Sequence, residues 1–198
     1  MPYPAKLTPD TILQVASVLL RAGGAEAVGM RALAGALGVQ PSSLYRHFAD
    51  RAAVLAALED QTSLDLNAAL TRAAAGLPPA DALRALAHAY LDFARSDPHA
   101  YGLLLMPRAP YTAQPGAAQD LWKSVLAVVG AVTGQTDDTA ATVAFWAYLH
   151  GFATLELSGQ FGRSGPRGGF ERGLEALIVG LSFPAQAGDT LPHSSPLL

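Results

Sequence analysis

The chain has no cysteine, which excludes a disulfide framework, a thiolate metal site and a cysteine nucleophile. Charge is also scarce: 15 % of the 198 residues are Asp, Glu, Lys or Arg, against 51 % that are apolar. So low a charged fraction excludes a disordered, self-repelling chain and calls for an extensive buried core. Aromatic residues make up only 8 %. No stretch offers the roughly 18 uninterrupted apolar residues of a membrane span, and residues Met1 to Leu7 lack the charged-then-apolar pattern of a secretory signal. The expectation is a soluble, cytoplasmic protein with no membrane partner, built as one compact unit or as a small module fused to a larger one.

Catalytic signatures are missing as well. No His-Glu-x-x-His, Glu-x-x-His, Gly-x-x-x-x-Gly-Lys-Ser/Thr or Gly-x-Ser-x-Gly occurs, and each would be needed to place a metal, a phosphate or a nucleophile. His88 with Asp92, and Asp97 with His99, are the nearest approach to an acid/base or metal pair, and ordinary surface hydrogen bonding accounts for both. Gly130 and Gly134 form a Gly-x-x-x-Gly in a segment too short to cross a membrane, so close packing is its reading. The chain is expected to be no enzyme and to hold no metal and no cofactor.

What is present is helical periodicity. Apolar residues recur at i, i+3, i+4 and i+7, and runs of alternating β-branched residues are missing, so the fold class is all-α. Thr8 as N-cap and Pro9 at the first helical position open a helix that Gly23 and Gly24 stop. Further helices are predicted over Met30–Leu37, Pro41–Phe48, and from an Asp50 cap through Leu70 to the break at Gly76, Pro78 and Pro79. Beyond these the pattern gives Asp81–Arg95, Pro98–Leu105, Ala117–Val132, Thr139–Gln160 and Phe170–Leu181. Pro107–Gly116 reads as a loop, Gly162–Gly169 as a Gly-rich linker and 184–198 as a frayed tail.

The net charge is −3, but it is unevenly spread. Up to Arg51, five cations face three carboxylates; the remainder is acidic. The stretch Leu33 to Phe48 within that basic quarter has the anatomy of a helix-turn-helix. Ala34 allows two short helices to cross closely, Gly38 suits the tight turn, and Leu33, Leu37, Val39, Leu44 and Phe48 form the small core beneath them. With Leu44 at zero on the helical wheel, Phe48 falls at about 40° and Pro41 at about 60°, whereas Ser42 and Arg46 lie at about 160° and 200°. Ser42 and Arg46 therefore point away from the core, flanked by Ser43 and Tyr45, a set suited to base edges and phosphates.

Leu33-Ala, Leu37-Gly-Val and Leu44-Tyr-Arg-His-Phe, followed by Asp50-Arg51 and an apolar helix, resemble the DNA-binding domain of TetR-family transcriptional regulators. The resemblance spans Thr8 to Leu58 and implies a three-helix reading head whose third helix enters the major groove of double-stranded DNA. By that resemblance Tyr45 and His47 hold the phosphate backbone, Arg51 does so at the start of the fourth helix, and Arg31 reads a base. Gln40, Pro41, Ser42 and Ser43 occupy positions that set sequence preference. Gly29 and Met30 depart from the hydroxyl pair that often opens the second helix, which removes a phosphate contact and motivates an alternative: a dimeric helical ligand- or partner-binding protein without sequence-specific DNA binding.

Farther on, Ala144-Phe-Trp-Ala-Tyr-Leu-His-Gly151 resembles the Trp, His and Gly signature of one C-terminal subclass of these regulators. Asp97-Pro98-His99-Ala100-Tyr101-Gly102-Leu103-Leu104-Leu105-Met106 is similar to its usual sixth-helix segment. That resemblance implies an effector-binding and dimerisation domain whose last two helices pair with their symmetry mates. Domains are expected at 1–58 and 59–183. Phe93, Tyr101, Met106, Trp122, Trp146 and His150 are the candidates for lining an effector pocket. The expectation is a homodimeric, ligand-responsive repressor that binds a palindromic operator and is released by a small apolar or amphipathic effector.

Overall fold

A computed structural model describes residues 7–106 and 116–183. The predicted tail over 184–198 and most of the predicted 107–116 loop lie outside these residues. Among the described residues the regular structure is helical, with no strand.

Helix α1 (Pro9–Ala27) starts as its sequence dictates: Thr8 Oγ1 accepts from the Thr11 amide at 3.2 Å, with Pro9 in the first turn. Gly23 and Gly24, expected to stop the helix, kink it instead. Gly24 takes φ 69°, and helical geometry resumes through Ala27. The kink accommodates a neighbour, because a Cβ on Gly24 would lie 3.2 Å from His99 Nδ1. The helix-turn-helix follows as α2 (Met30–Leu37) and α3 (Pro41–Leu44). Gly38, left-handed at φ 66°, ends α2 by returning its amide to Ala34 and Gly35, as a glycine C-cap does.

The third helix is shorter than the expected Pro41–Phe48. Its regular part ends at Leu44, and Tyr45 to His47 form a turn in which the amides of His47 and Phe48 both reach the Leu44 carbonyl. Asp50 then caps α4 (Arg51–Ala74) through the Ala53 amide at 2.8 Å. The rest comprises α5 (Pro79–Ser96), α6 (Pro98–Leu103), α7 (Ala117–Thr133), α8 (Thr139–Leu157) and α9 (Gly169–Ser182). Their ends differ from expectation by up to three residues, the scatter that fraying helix termini produce.

At Gly130 the close packing is against the chain's own following turn, since a Cβ there would collide with the Gln135 carbonyl, and Gly134 adopts φ 74° as the C-cap of α7. The Gly162–Gly169 linker contains a 3-10 turn over Gly162–Ser164. Gly162, Gly165 and Gly168 all have positive φ, so the three-residue spacing is a backbone requirement.

The apolar residues gather into two cores. One joins α1, α2, α3 and the start of α4 through Ile12, Leu20, Leu33, Leu44 and Val54. The other joins the later part of α4 to α5, α7, α8 and α9 through Leu70, Leu83, Val125, Phe145 and Leu174. We call these the head and the body. Helix α6 belongs to both, since Leu103 is buried in the head core and Tyr101 in the body core. Each such fully buried large side chain contributes roughly 1.5–3 kcal/mol, so α6 ties the two parts together firmly.

Candidate functional site

The outer face of the head carries the residues singled out for DNA. Leu44, fully buried, anchors α3. Ser42 and Arg46 are exposed, as the helical wheel requires, and Tyr45 is 54 % exposed. Ser43 and His47 are half-buried at the sides of this face, Pro41 packs at its start, and Gln40 is exposed at the N-cap. Arg31 is exposed in the first turn of α2. The arrangement leaves a phenol, a guanidinium and a hydroxyl directed to solvent from a rigid apolar base, which is what contact with phosphates and base edges needs.

Arg51 has a different situation. Its Nε donates to the Val28 carbonyl at 2.8 Å and its Nη2 to the Ala25 carbonyl at 2.7 Å and to Glu26 Oε1 at 3.2 Å. Two of its three nitrogens therefore hold the α1–α2 connection against the start of α4, a structural role that the sequence pattern did not show. Gly29, the N-cap of α2, makes no side-chain bond, and a Cβ there would meet nothing within 4 Å.

In the body, three of the six effector-site candidates come together. Tyr101, Trp146 and His150 surround a residue absent from that set, Tyr90. Tyr90 Oη lies 2.7 Å from His150 Nδ1 and donates to Tyr101 Oη at 3.1 Å; Tyr101 Oη lies 3.0 Å from the same nitrogen. Trp146 packs edge-on against both Tyr90 and His150, with ring centroids 5.4 and 4.9 Å apart. Burial pushes the Tyr90 and Tyr101 phenols up, and it pushes the His150 imidazole down to about 4. Near neutral pH the ring is thus uncharged. The donor or acceptor role of Nδ1 is set by its tautomer, and both phenols lie within hydrogen-bond reach of it.

The other three candidates are elsewhere. Phe93 lines a cleft of about 530 Å³ between α1 and α4, α5 and α6. Met106 is exposed beyond the end of α6, and Trp122 is half-buried on α7. Neither joins the Tyr90 cluster. Tyr90 was missed because an aromatic residue in an apolar helical stripe, Leu83-Leu86-Tyr90-Ala94, reads as core; only the pairing of α5 with α6 and α8 shows its hydroxyl to be engaged.

Helices α8 and α9 leave two apolar stripes uncovered. On α8, Ala140, Val143, Ala147, Gly151 and Leu155 are exposed, and Val179 and Phe183 continue the exposed surface at α9. A depression lined by Ala147, Gly151, Phe152 and Phe161 lies on this face. Ala141 and Ala153 turn inward, so α8 is apolar on both sides, as a helix buried on more than one side would be.

Residues 12–58 match the family described as bacterial regulatory proteins, tetR family, and residues 83–178 match the tetracyclin repressor-like C-terminal domain. An uncharacterized HTH-type transcriptional regulator of Mycobacterium tuberculosis is 32 % identical over 161 residues, covering 79 % of this chain and 73 % of that protein. Among solved structures, a protein of unknown function from Rhodococcus sp. RHA1 superposes with a TM-score of 0.79 at 25 % identity, over 92 % of this chain and 100 % of its own. A TetR transcriptional regulator from Streptomyces coelicolor has a similar fold, with a TM-score of 0.69 at 23 % identity, over 89 % of this chain and 98 % of its own.

Proposed function

Because the chain belongs to the TetR family of DNA-binding transcriptional regulators, we propose that it acts in the cytoplasm as a homodimeric repressor, released from a palindromic operator by a small apolar or amphipathic effector. As a member of that family it is a regulator and not an enzyme. The observation that carries the proposal is the exposed Ser42, Tyr45 and Arg46 set on a head whose third helix is anchored by buried Leu44. In this reading Tyr45, His47 and Arg46 hold phosphates, with Arg51 adding to them from the start of α4. Arg31, Gln40, Pro41, Ser42 and Ser43 face or shape the contact with bases.

The uncovered stripes of α8 and α9 support the dimer reading. Small residues at Ala140, Ala147 and Gly151 would let the same helix of a second copy approach closely, burying Val143, Leu155 and Val179. Two heads held about one DNA turn apart then match a two-fold symmetric site. The effector reading rests on the Tyr90, Tyr101, Trp146 and His150 cluster, where three polar atoms converge among buried aromatic rings. An effector that binds one head arrangement better than the other shifts the population away from the operator-matched state.

The test is selection from a randomised duplex library with the full chain at near-physiological salt. An inverted repeat enriched with nanomolar affinity is expected. No enrichment from a folded, dimeric sample would overturn the repressor reading in favour of a ligand- or partner-binding protein.

A further inference from the structure

A cleft lies between head and body, apart from the Tyr90 cluster. Its volume of about 530 Å³ suits a small organic molecule, since such sites run from roughly 300 to 1,000 Å³. One wall is a stripe of the head: Asp10, Gln14, Ser17, Val18 and Arg21 follow one another along α1 at helical spacing. The opposite wall is the body, with Gln61, Thr62 and Asp65 on α4 and Phe93 near the end of α5. Leu13, Leu20, Leu58 and Ala100 supply the apolar part between them.

The charge of this lining selects the occupant. Three carboxylates, Asp10, Asp65 and Asp97, face a single cation, Arg21. An anionic ligand would meet a surplus of like charge in a partly enclosed site, where Coulomb energies exceed those in bulk water. A bare divalent ion does not fit either: among the described residues no group of three or more acidic, His or Cys side chains is placed to hold a metal. The carboxylates are instead spread around an apolar volume, with neutral hydrogen-bonding groups at Gln14, Ser17 and Gln61.

We propose that this cleft binds a small organic cation with an apolar body, one per protomer, at a place where the ligand touches the reading head directly. The ammonium or amidinium group lies toward the aspartates, and the hydrocarbon or aromatic part covers Leu13, Leu58 and Phe93. Such a ligand contacts α1 and α4–α6 together, so any head movement that opens or closes the cleft changes its affinity. Binding does not depend on the proposed function; the regulatory consequence does.

The experiment is calorimetric titration of the full chain with three probes of one shape: 4-phenylbutyltrimethylammonium, 4-phenylbutanol and 4-phenylbutyrate. The cation is expected to bind once per protomer, about tenfold tighter than the alcohol, with the carboxylate weakest. Asp10→Asn combined with Asp65→Asn should weaken the cation about tenfold and leave the alcohol unchanged, whereas Asp120→Asn on α7 should do neither. Ser17→Trp, which fills the cleft, should remove binding of both. Equal affinities for cation and alcohol, or full binding by the Ser17→Trp variant, would overturn the assignment. Cation binding by a chain that enriches no duplex would refute the repressor reading and leave the cleft standing; an enriched operator with a cleft indifferent to the cation would do the reverse.

Discussion

In the head, Ser42, Tyr45 and Arg46 carry their polar atoms outward over a core whose buried members are all apolar. In the body the direction is inverted: Tyr90, Tyr101 and His150 turn theirs inward, to within 2.7–3.1 Å of one another, inside an apolar shell. Under the proposed function the difference matches the two kinds of partner. A nucleic acid is large, charged and external, so groups that meet it must stay solvated and reachable until it arrives. A small molecule is recognised by enclosure, which makes a few buried polar atoms selective because leaving any of them unpaired is costly. Helix α6, with Leu103 in one core and Tyr101 in the other, is where the two designs meet.

The comparison breaks most readily at the head. Tyr45→Ala combined with Arg46→Ala should lower operator affinity on the order of 100-fold. Both side chains are exposed, so the unfolding free energy should move by no more than about 0.5 kcal/mol. Fluorescence anisotropy with the selected duplex, beside thermal melts, gives both numbers. A large loss of stability would show that the head's polar face is part of its architecture.

The body should respond to pH through His150. The imidazole of His150 is held down to about 4 by burial, against about 6.5 in an unfolded chain. Between these values the unfolded state binds the extra proton, so stability rises with pH and is lost as pH falls from about 6.5 toward 4. Allowing for its partial exposure, the loss is about 2 kcal/mol. Urea unfolding at pH 7 and pH 4.5 should show this difference in the native chain and a smaller one in His150→Phe. The same slope in both proteins would mean that His150 is not the titrating group.

The smallest effect sharpens the comparison at Gly29. Its N-cap position is open and extended, at φ −129°, so Gly29→Ser fits without strain. The hydroxyl should add a few tenths of a kcal/mol to head stability by capping α2 and raise duplex affinity about threefold through one more phosphate contact. No change in salt dependence together with no gain in affinity would show that this end of α2 stays clear of the backbone.

The head was largely legible in the sequence. Ser42 and Arg46 point outward as the wheel on Leu44 demands, and the Thr8, Gly38 and Asp50 caps all form. Its one overreach, a third helix carried through to Phe48, came from extending the helical period across Tyr45–His47, where the chain makes a turn. The role of Arg51 was invisible because its acceptors, Ala25 and Val28, lie 26 and 23 residues away. The body was legible as helices but not as a site. Six aromatic, Met and His residues looked equivalent as lining, and only three of them gather around Tyr90, which looked like core.

By itself the sequence determined the helices, their caps and the helix-turn-helix, because these depend on bonds and contacts within about four residues, where side-chain chemistry acts directly on the backbone. Tertiary structure decided which polar groups share a site. The contacts of His150 with Tyr90 and Tyr101 join residues 60 and 49 positions apart, and the cleft between α1 and α4–α6 exists only once head and body are packed. Residues so far apart meet through the summed packing of whole helices, a property of the three-dimensional arrangement that no local spacing encodes.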